Sequence, residues 1–389
     1  MNYTGFIARR LHFRGKTASV SIAVSFFVMI VAVSISSGFR QEIRGALSSF
    51  CGDIRLTSIR AGALSEEDPI SRNPSFLSDI QALKGVERIS PALYRAGIVK
   101  NEGVIQGVVF KGIPDADSLK GLGVSIPSGL AEMLSLKEGD RLSAWFVGEK
   151  LKARRFTVKE IYDGRADVDG ALPVFADISD MQRLNGWDSL QVSALEITLD
   201  RRERRSSSAL RDMTFTVGTI CLAASSDVDD SLMARSIADL YPQLFSWLDL
   251  IDFNVFFVLV IMTIVAGFNM ISGLLILLFR NISTIGVLKS MGMTDRSIAK
   301  VFLKTSSALV LRGMAIGNAL ALLFCLVQGT TRLIKLNPGN YFVSFVPVSV
   351  DLPMILLADF TAYVVIMLLL LLPSLFISSV DPAKTVRCA

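Results

Sequence analysis

Four long apolar stretches constrain the fold of this chain more than any other feature. No charged residue occurs between Lys16 and Arg40 or between Asp252 and Arg280, and the other two stretches each contain one. Each stretch reaches the roughly 20 residues that a helix needs to cross a bilayer. A helix also satisfies its own backbone hydrogen bonds where no water is present. We therefore predict transmembrane helices at residues 18–39, 252–279, 305–329 and 353–379.

The composition agrees with a membrane protein. The 389 residues are 51% hydrophobic and 19% charged, whereas soluble domains carry about 25% charged residues. The first span has the basic flank of a signal peptide, but its apolar run exceeds the usual core of about 7–15 residues, and no A-x-A cleavage site follows. We predict an uncleaved anchor. Residues 1–17 are either a cytoplasmic amphipathic helix on the membrane surface or a simple basic flank.

The positions of Lys and Arg predict the orientation. Basic residues concentrate before the first span, in the connector 280–304 and in the tail 380–389. Because cytoplasmic loops carry the excess of Lys and Arg, we expect both termini in the cytoplasm. Residues 40–251 then form an extracytoplasmic domain, and residues 330–352 a short periplasmic loop. The net charge of +5 follows from this topology, and no nucleic-acid partner is predicted.

The segment 40–251 alternates between strand and helix patterns. The predicted fold class is an α-helical membrane protein with four spans and a mixed α+β domain between the first two. Residues 128–187 can form an inserted lobe. Period-two alternation predicts strands at Asp53–Ile59, Val104–Phe110, Arg141–Val147, Phe156–Ile161 and Ala194–Leu199. Helices are predicted at Ser75–Leu83, Ser128–Leu134, Ile178–Leu184, Arg201–Arg211 and Ser231–Leu240.

Several kinds of catalytic and metal site are excluded. His12 is the only histidine, which excludes a His-based triad and a multi-His metal site. Gly15-Lys16-Thr17 resembles the end of a phosphate loop, but Arg10 stands where that motif needs glycine. The loop Asp163–Gly170 lacks EF-hand spacing, so we predict a turn there. We expect no catalytic residue, metal or cofactor in this chain.

A few residues inside the spans are unusual. Arg312 is costly in hydrocarbon unless it reaches the headgroups or forms a structural pair, and the same holds for Asp359. Cys51 and Cys221 both lie in the predicted outer segment, where a disulfide between them is conceivable. Small residues permit close helix packing, either within one subunit or across a dimer seam. They are Gly267 and Gly273 in the second span and Gly313 and Gly317 in the third.

The connector after the second span combines a helical apolar pattern with glycine breaks. Ile285, Leu288 and Met291 recur at intervals of three residues, near one helical face. Asp295 is predicted to cap a second, short helix. From the residues alone, the connector is either a docking element for a cytoplasmic protein or a basic loop without a partner. The candidate coupling residues are Thr284, Ile285, Gly286, Val287, Leu288, Lys289, Met291, Gly292, Asp295 and Arg296.

The connector resembles the coupling segment E-I-G-V-L-K-A-L-G of FtsX/MacB-type permeases, with Thr284 in place of the acidic residue. The C-terminal end is similar to the closing P-S…P-A-x-x-L-R signature of this superfamily, at Pro373, Ser374, Pro382, Ala383 and Arg387. Further runs resemble the lipoprotein-releasing (LolC/LolE) permease subunits, at residues 6–10, 37–39, 42, 129–131, 134, 136–140 and 155–158.

The resemblance implies a permease subunit of an ABC transporter that works by mechanotransmission. Its implied partners are a cytoplasmic ABC ATPase subunit carrying ATP and Mg, a second permease subunit in a homo- or heterodimer, a periplasmic lipoprotein carrier and membrane lipids. The implied function is lipoprotein release from the inner membrane of a bacterium, and the resemblance places the chain itself in that membrane. The alternatives are a MacB-like efflux permease, which usually carries its ATPase on the same chain, and an FtsX-like relay controlling a cell-wall hydrolase.

Overall fold

The structure is a computed structural model, and it forms two compact units. The helical unit comprises Met1–Arg40, Leu248–Lys335 and Phe345–Ala389, and the sheet unit comprises Gln41–Trp247 and Leu336–Ser344. The described residues are 16–60, 68–114, 116–146, 151–162, 172–200, 203–204, 206–224, 232–336 and 343–374.

The elements are numbered in chain order. The helices are α1 (Lys16–Cys51), α2 (Leu77–Gln81), α3 (Ser128–Leu134), α4 (Ile178–Asn185), α5 (Ser207–Ala224), α6 (Ile237–Leu240), α7 (Pro242–Arg280), α8 (Ile282–Ser290), α9 (Asp295–Thr331), α10 (Leu352–Leu369) and α11 (Leu371–Ser374). The strands are β1 (Ile54–Ser58), β2 (Ile70–Ser71), β3 (Val86–Asn101), β4 (Val104–Ile113), β5 (Gly123–Pro127), β6 (Arg141–Phe146), β7 (Lys152–Tyr162), β8 (Leu172–Asp177), β9 (Gln191–Val192), β10 (Ala194–Leu199) and β11 (Leu232–Ser236).

Four helices among the described residues are long and apolar enough to cross a membrane, namely α1, α7, α9 and the segment Leu352–Pro373 that includes α10. They confirm the helical character predicted for the four apolar stretches. In the helical unit these helices share one apolar core, because each contributes buried side chains to it. Its members include Ile22, Phe26, Ala266, Met270, Phe302, Val310, Ala362 and Ile366.

Two glycines of α9 lie directly against α1. A Cβ atom on Gly313 would lie 2.6 Å from Cγ2 of Ile22, and one on Gly317 would lie 2.5 Å from the carbonyl oxygen of Ala23. No side chain fits at such distances, so these two positions let the backbones approach closely. Both glycines therefore pack within one subunit.

The two glycines of α7 are also internal. A Cβ atom on Gly267 would lie 2.5 Å from Cδ1 of Leu369, in α10. Gly273 is buried in α7.

The long strand β3 organises the sheet unit because it takes part in two arrangements. Its first half pairs with β10 in an antiparallel sheet of order β11-β1-β10-β3. Its second half pairs with β4 and with β6, and the order β3-β4-β8-β5-β7-β6 closes into a ring. Phe110, Phe146 and Phe156 fill the interior, with ring centroids 4.9 Å and 5.1 Å from Phe110 to the other two.

The lobe proposed at residues 128–187 is part of this larger ring. It supplies β6, β7 and β8, but β3, β4 and β5 lie before it in the chain. The ring therefore draws strands from both sides of that boundary.

The helix predicted over Ser231–Leu240 is wrong. Leu232–Ser236 is the strand β11, which pairs antiparallel with all five residues of the buried strand β1. Long-range pairing outweighs the helical pattern there. Only Ile237–Leu240 is helical, and the capping box of Ser236 with Asp239 starts that turn.

Most of the other predicted strands and helices are confirmed, and two predicted helices have different bounds. The five predicted strands and the helices at Ser128–Leu134 and Ile178–Leu184 are confirmed within a few residues. The helix predicted at Ser75–Leu83 shortens to α2, and the one predicted at Arg201–Arg211 is replaced by α5, which continues to Ala224. Residues 1–15, the loop Asp163–Gly170 and the tail 380–389 lie outside the described residues.

Cys51 and Cys221 are both free and buried. The structure therefore contains no disulfide between them.

Candidate coupling site

The connector after the second span folds as a helix, a tight turn and the start of a second helix. Gly292 has a φ of +87°, a conformation that glycine adopts without strain. Its N–H donates to the carbonyl of Lys289 at 2.9 Å, and the N–H of Met293 donates to the carbonyl of Leu288 at 3.0 Å. These bonds satisfy carbonyls at the end of α8. Gly292 therefore fixes the angle at which the chain leaves α8.

The second helix differs from the prediction in its cap and in its length. Thr294 occupies the N-cap with an extended backbone, and Asp295 is the first helical residue. A carboxylate in the first turn stabilises a helix through its macrodipole, so Asp295 still favours the start of α9. The helix is 37 residues long and continues into the third span, because no break follows Asp295.

An ion pair joins the two helices across this turn. Nζ of Lys289 lies 2.9 Å from Oδ1 of Asp295. The lysine side chain is largely buried, whereas the aspartate is about half-exposed. The pair therefore closes the turn from its inner side.

One side of α8 packs inside the chain. Ile285 is buried in the core of the helical unit together with Ile298 and Phe302 of α9, and Leu288 packs against the same core. Gly286 is also buried. These residues hold α8 against α9, so they are not available to a partner.

The opposite side of α8 is exposed. Val287 is 49% exposed and Met291 is 78% exposed. Thr284, one turn before Val287, is exposed as well. Spacings of three and four residues place these three side chains on one face. We call Thr284, Val287 and Met291 the exposed coupling face. The single face predicted for Ile285, Leu288 and Met291 is therefore corrected, since two of its members point inward.

Basic side chains accompany this face in the sequence. Arg280, Arg296, Lys300 and Lys304 are all exposed. An apolar face with basic neighbours suits a partner surface that has an apolar cleft and acidic residues.

The unusual charges in the spans have different surroundings. Asp359 is buried and accepts a hydrogen bond of 2.5 Å from Nδ2 of Asn318, so α9 and α10 share a polar contact. Arg312 is exposed on α9. The interhelical pair at Asp359 is one of the two roles that the sequence left open.

A second interhelical link was missed by the sequence analysis. Nη2 of Arg40 in α1 lies 2.8 Å from Oδ1 of Asp249 in α7, and it also contacts Asp252. Ser36 donates a hydrogen bond to Asp252 as well. In the sequence, Arg40 and Asp252 only mark the ends of apolar stretches. Arg40 and Asp249 are separated by 209 positions, so no local pattern indicates that they pair.

The C-terminal signature is only partly described. Pro373 is buried and Ser374 is the last residue of α11. Pro382, Ala383 and Arg387 lie outside the described residues. Within the described part of the chain, no three His, Cys, Asp or Glu side chains cluster in a way that could hold a metal ion.

The coupling site lies within a segment that matches a known protein family. Residues 256–382 match the family FtsX-like permease C-terminal. The chain is 24% identical to the lipoprotein-releasing system transmembrane protein LolC of Xylella fastidiosa, over 98% of this chain and 95% of that protein. It is 21% identical to the corresponding LolE protein of Haemophilus influenzae, over 85% of this chain and 84% of that protein.

A likeness to a solved structure is weaker. The periplasmic region of MacB from Actinobacillus actinomycetemcomitans aligns with 50% of this chain and 92% of its own, at 10% identity and a TM-score of 0.31. The family match and the two relatives confirm the resemblance to FtsX-type permeases that the sequence predicts at Ile285–Gly292.

Proposed function

We propose that this chain, which carries an FtsX-like permease domain and is a permease subunit of an ABC transporter, releases lipoproteins from the bacterial inner membrane. The exposed coupling face carries the proposal. It lies on a helix that is packed on its other side, closed by an ion pair, and included in the matched domain. Two relatives that match most of the chain are named as lipoprotein-releasing proteins, which supports the choice of substrate.

The proposed task of the coupling face is to dock on a separate ATPase subunit. That subunit binds ATP and Mg, and its closure pushes on α8. Val287 and Met291 fill an apolar cleft, because exposed apolar side chains gain free energy when a partner covers them. Lys289 and Asp295 keep α8 and α9 together, so a push on α8 is passed to the third span.

We propose that both termini and α8 lie in the cytoplasm. The basic residues around α8 support this orientation through the positive-inside rule. The sheet unit is then extracytoplasmic, where it handles a lipoprotein and passes it to a periplasmic carrier.

A second permease subunit completes the proposed transporter. Within this chain only 17% of the most apolar part of α7 is buried, whereas 50% of the most apolar part of α1 is buried. The uncovered side of α7 is rich in phenylalanine, and aromatic side chains supply large contact areas in interfaces. Its exposed members include Phe253, Phe256, Phe257 and Phe268.

Co-purification in mild detergent tests the proposal. A tagged wild-type chain is expected to retain an ATPase subunit, and the complex is expected to release a triacylated lipopeptide from liposomes only with ATP. Met291→Asp should lose the ATPase subunit. Met133→Asp, at an exposed methionine of the sheet unit, is the matched control and should retain it. Absence of any ATP-binding protein from the wild-type preparation would contradict the proposal.

A further inference from the structure

The last turn of α1 is bound by polar side chains of the sheet unit. The carbonyl oxygen of Phe50 accepts a hydrogen bond from Nζ of Lys111, in β4, and lies 3.3 Å from the hydroxyl oxygen of Tyr94, in β3. The last carbonyls of a helix have no partner within the helix. A cation at this end also complements the helix macrodipole. Lys111 therefore acts as a C-terminal cap supplied by another element.

Glu196 of β10 holds both donors in place. Nζ of Lys111 lies 2.8 Å from Oε1 of Glu196, and the hydroxyl of Tyr94 donates a hydrogen bond to the same carboxylate. All three side chains are buried. Burial raises the pKa of Tyr94 well above its ordinary value, so the phenol stays protonated and remains a donor. We call Tyr94, Lys111 and Glu196 the joint cluster.

The chain is also hydrogen-bonded to the sheet at Asp53, just after the end of α1. The N–H of Asp53 donates to the carbonyl of Ile197 at 2.9 Å. The carboxylate of Asp53 accepts from the N–H of Leu199 at 2.8 Å and from Nε of Arg204 at 3.1 Å. Residues 50–53 are thus bonded on both sides of the point where helix gives way to strand.

Stability alone does not account for a buried ion pair at this point. Apolar residues of similar volume usually stabilise a buried site as well as an ion pair does, or better. Hydrogen bonds and ion pairs differ from apolar contacts in being directional. They resist a displacement of the helix along its axis, whereas apolar surfaces slide more easily. The joint cluster thus joins the end of one continuous helix, Lys16–Cys51, to three strands.

We propose that Lys111, Tyr94 and Glu196 are positioning residues through which a displacement of α1 is transmitted to β3, β4 and β10. This inference rests on the proposed function, because it assumes that ATP turnover moves α1. It adds the atoms through which that movement enters the sheet unit. Removing the cluster should separate ATP hydrolysis from substrate release.

The test uses the full complex with its ATPase subunit in liposomes that contain a fluorescent triacylated lipopeptide. The deciding variant is Lys111→Met/Glu196→Met, because it removes the two members of the ion pair together. The buried Arg55, whose guanidinium carbon lies 3.9 Å from the centroid of the Tyr94 ring, is kept in every variant. Lys120→Met is the matched control, since Lys120 pairs with Asp117 on the exposed surface of the same unit. Lys111→Arg tests rescue, because arginine keeps the charge and the donors.

We expect the double variant to hydrolyse ATP within about two-fold of wild type while the lipopeptide released per ATP falls about ten-fold. Lys120→Met should match wild type, and Lys111→Arg should restore part of the release. Unchanged release in the double variant would overturn the inference, as would an equal loss of hydrolysis and release. A double variant that does not fold would assign the cluster to folding and overturn it too. If wild type itself shows no ATP-dependent release, it is the proposed function that fails.

Discussion

Nζ of Lys289 lies 2.9 Å from Oδ1 of Asp295, so an ion pair connects the last turn of α8 with the first turn of α9. Because α9 is one continuous helix from Asp295 to Thr331, this contact connects α8, which bears the exposed coupling face, to a helix of the apolar core. Ile285 is buried among residues of α9, so apolar contacts also hold α8 against α9.

The ion pair should contribute modestly to stability, because Asp295 is about half-exposed. A double-mutant cycle of Lys289→Met and Asp295→Asn is expected to give a coupling energy of about 0.2–1 kcal/mol. Thermal unfolding in detergent measures it. A coupling energy of zero, with unchanged stimulation of the ATPase subunit, would show that the pair does not hold the two helices.

The two sides of α8 should respond differently to the same substitution. Val287→Asp places a charge on the exposed side, so its stability should stay within about 0.5 kcal/mol of wild type, while binding of the ATPase subunit is lost. Ile285→Ala removes buried atoms and should destabilise the chain by about 2–5 kcal/mol. Thermal unfolding and co-purification distinguish the two effects. A strongly destabilised Val287→Asp would mean that this side is internal.

Close packing of α1 and α9 should make Gly317 intolerant of any side chain. Gly317→Ala places its Cβ atom 2.5 Å from the carbonyl oxygen of Ala23, and overpacking of this kind costs about 1–3 kcal/mol. Gly329→Ala, in the same helix, is the control, because its Cβ atom would meet only an ordinary contact at 3.6 Å. Equal thermal stability of the two variants would contradict the packing described here.

The buried thiol of Cys51 should be unreactive in the folded protein. Burial raises its pKa from 9.0 to about 11, so the thiol is protonated near neutral pH. Since the folded protein holds this proton more tightly, the associated stability is present below pH 9 and is lost as the pH rises toward 11. Maleimide labelling followed by peptide mapping should modify Cys51 only after unfolding. Rapid labelling at pH 7.5 in the folded protein would disagree.

Local patterns in the sequence predict much of this fold. Alternation identifies Arg141–Val147 as a strand, and the helix Ser128–Leu134 matches α3. The region Leu232–Ser236 could not be predicted in this way, because its conformation depends on pairing with β1, almost 180 residues earlier in the chain.

The sequence motif located the candidate site, but it did not show which side of α8 faces the protein and which side faces outward. The spacing of Ile285, Leu288 and Met291 shows that they share a helical side and does not tell whether that side faces the protein or a partner. Packing against α9 decides this for Ile285. The joint cluster could not be predicted from the sequence. Lys111 and Glu196 are 85 positions apart, and each lies in a segment with an ordinary strand pattern.

The central claim is that the exposed coupling face touches an ATPase subunit, and photo-crosslinking tests it most directly. A benzoyl-phenylalanine residue is placed at Met291 in one sample and at Met133 in the control, and each complex is irradiated in membranes that hydrolyse ATP. We predict a covalent product with the nucleotide-binding subunit from position 291 and none from position 133. An active complex in which position 291 forms no such product would contradict the account.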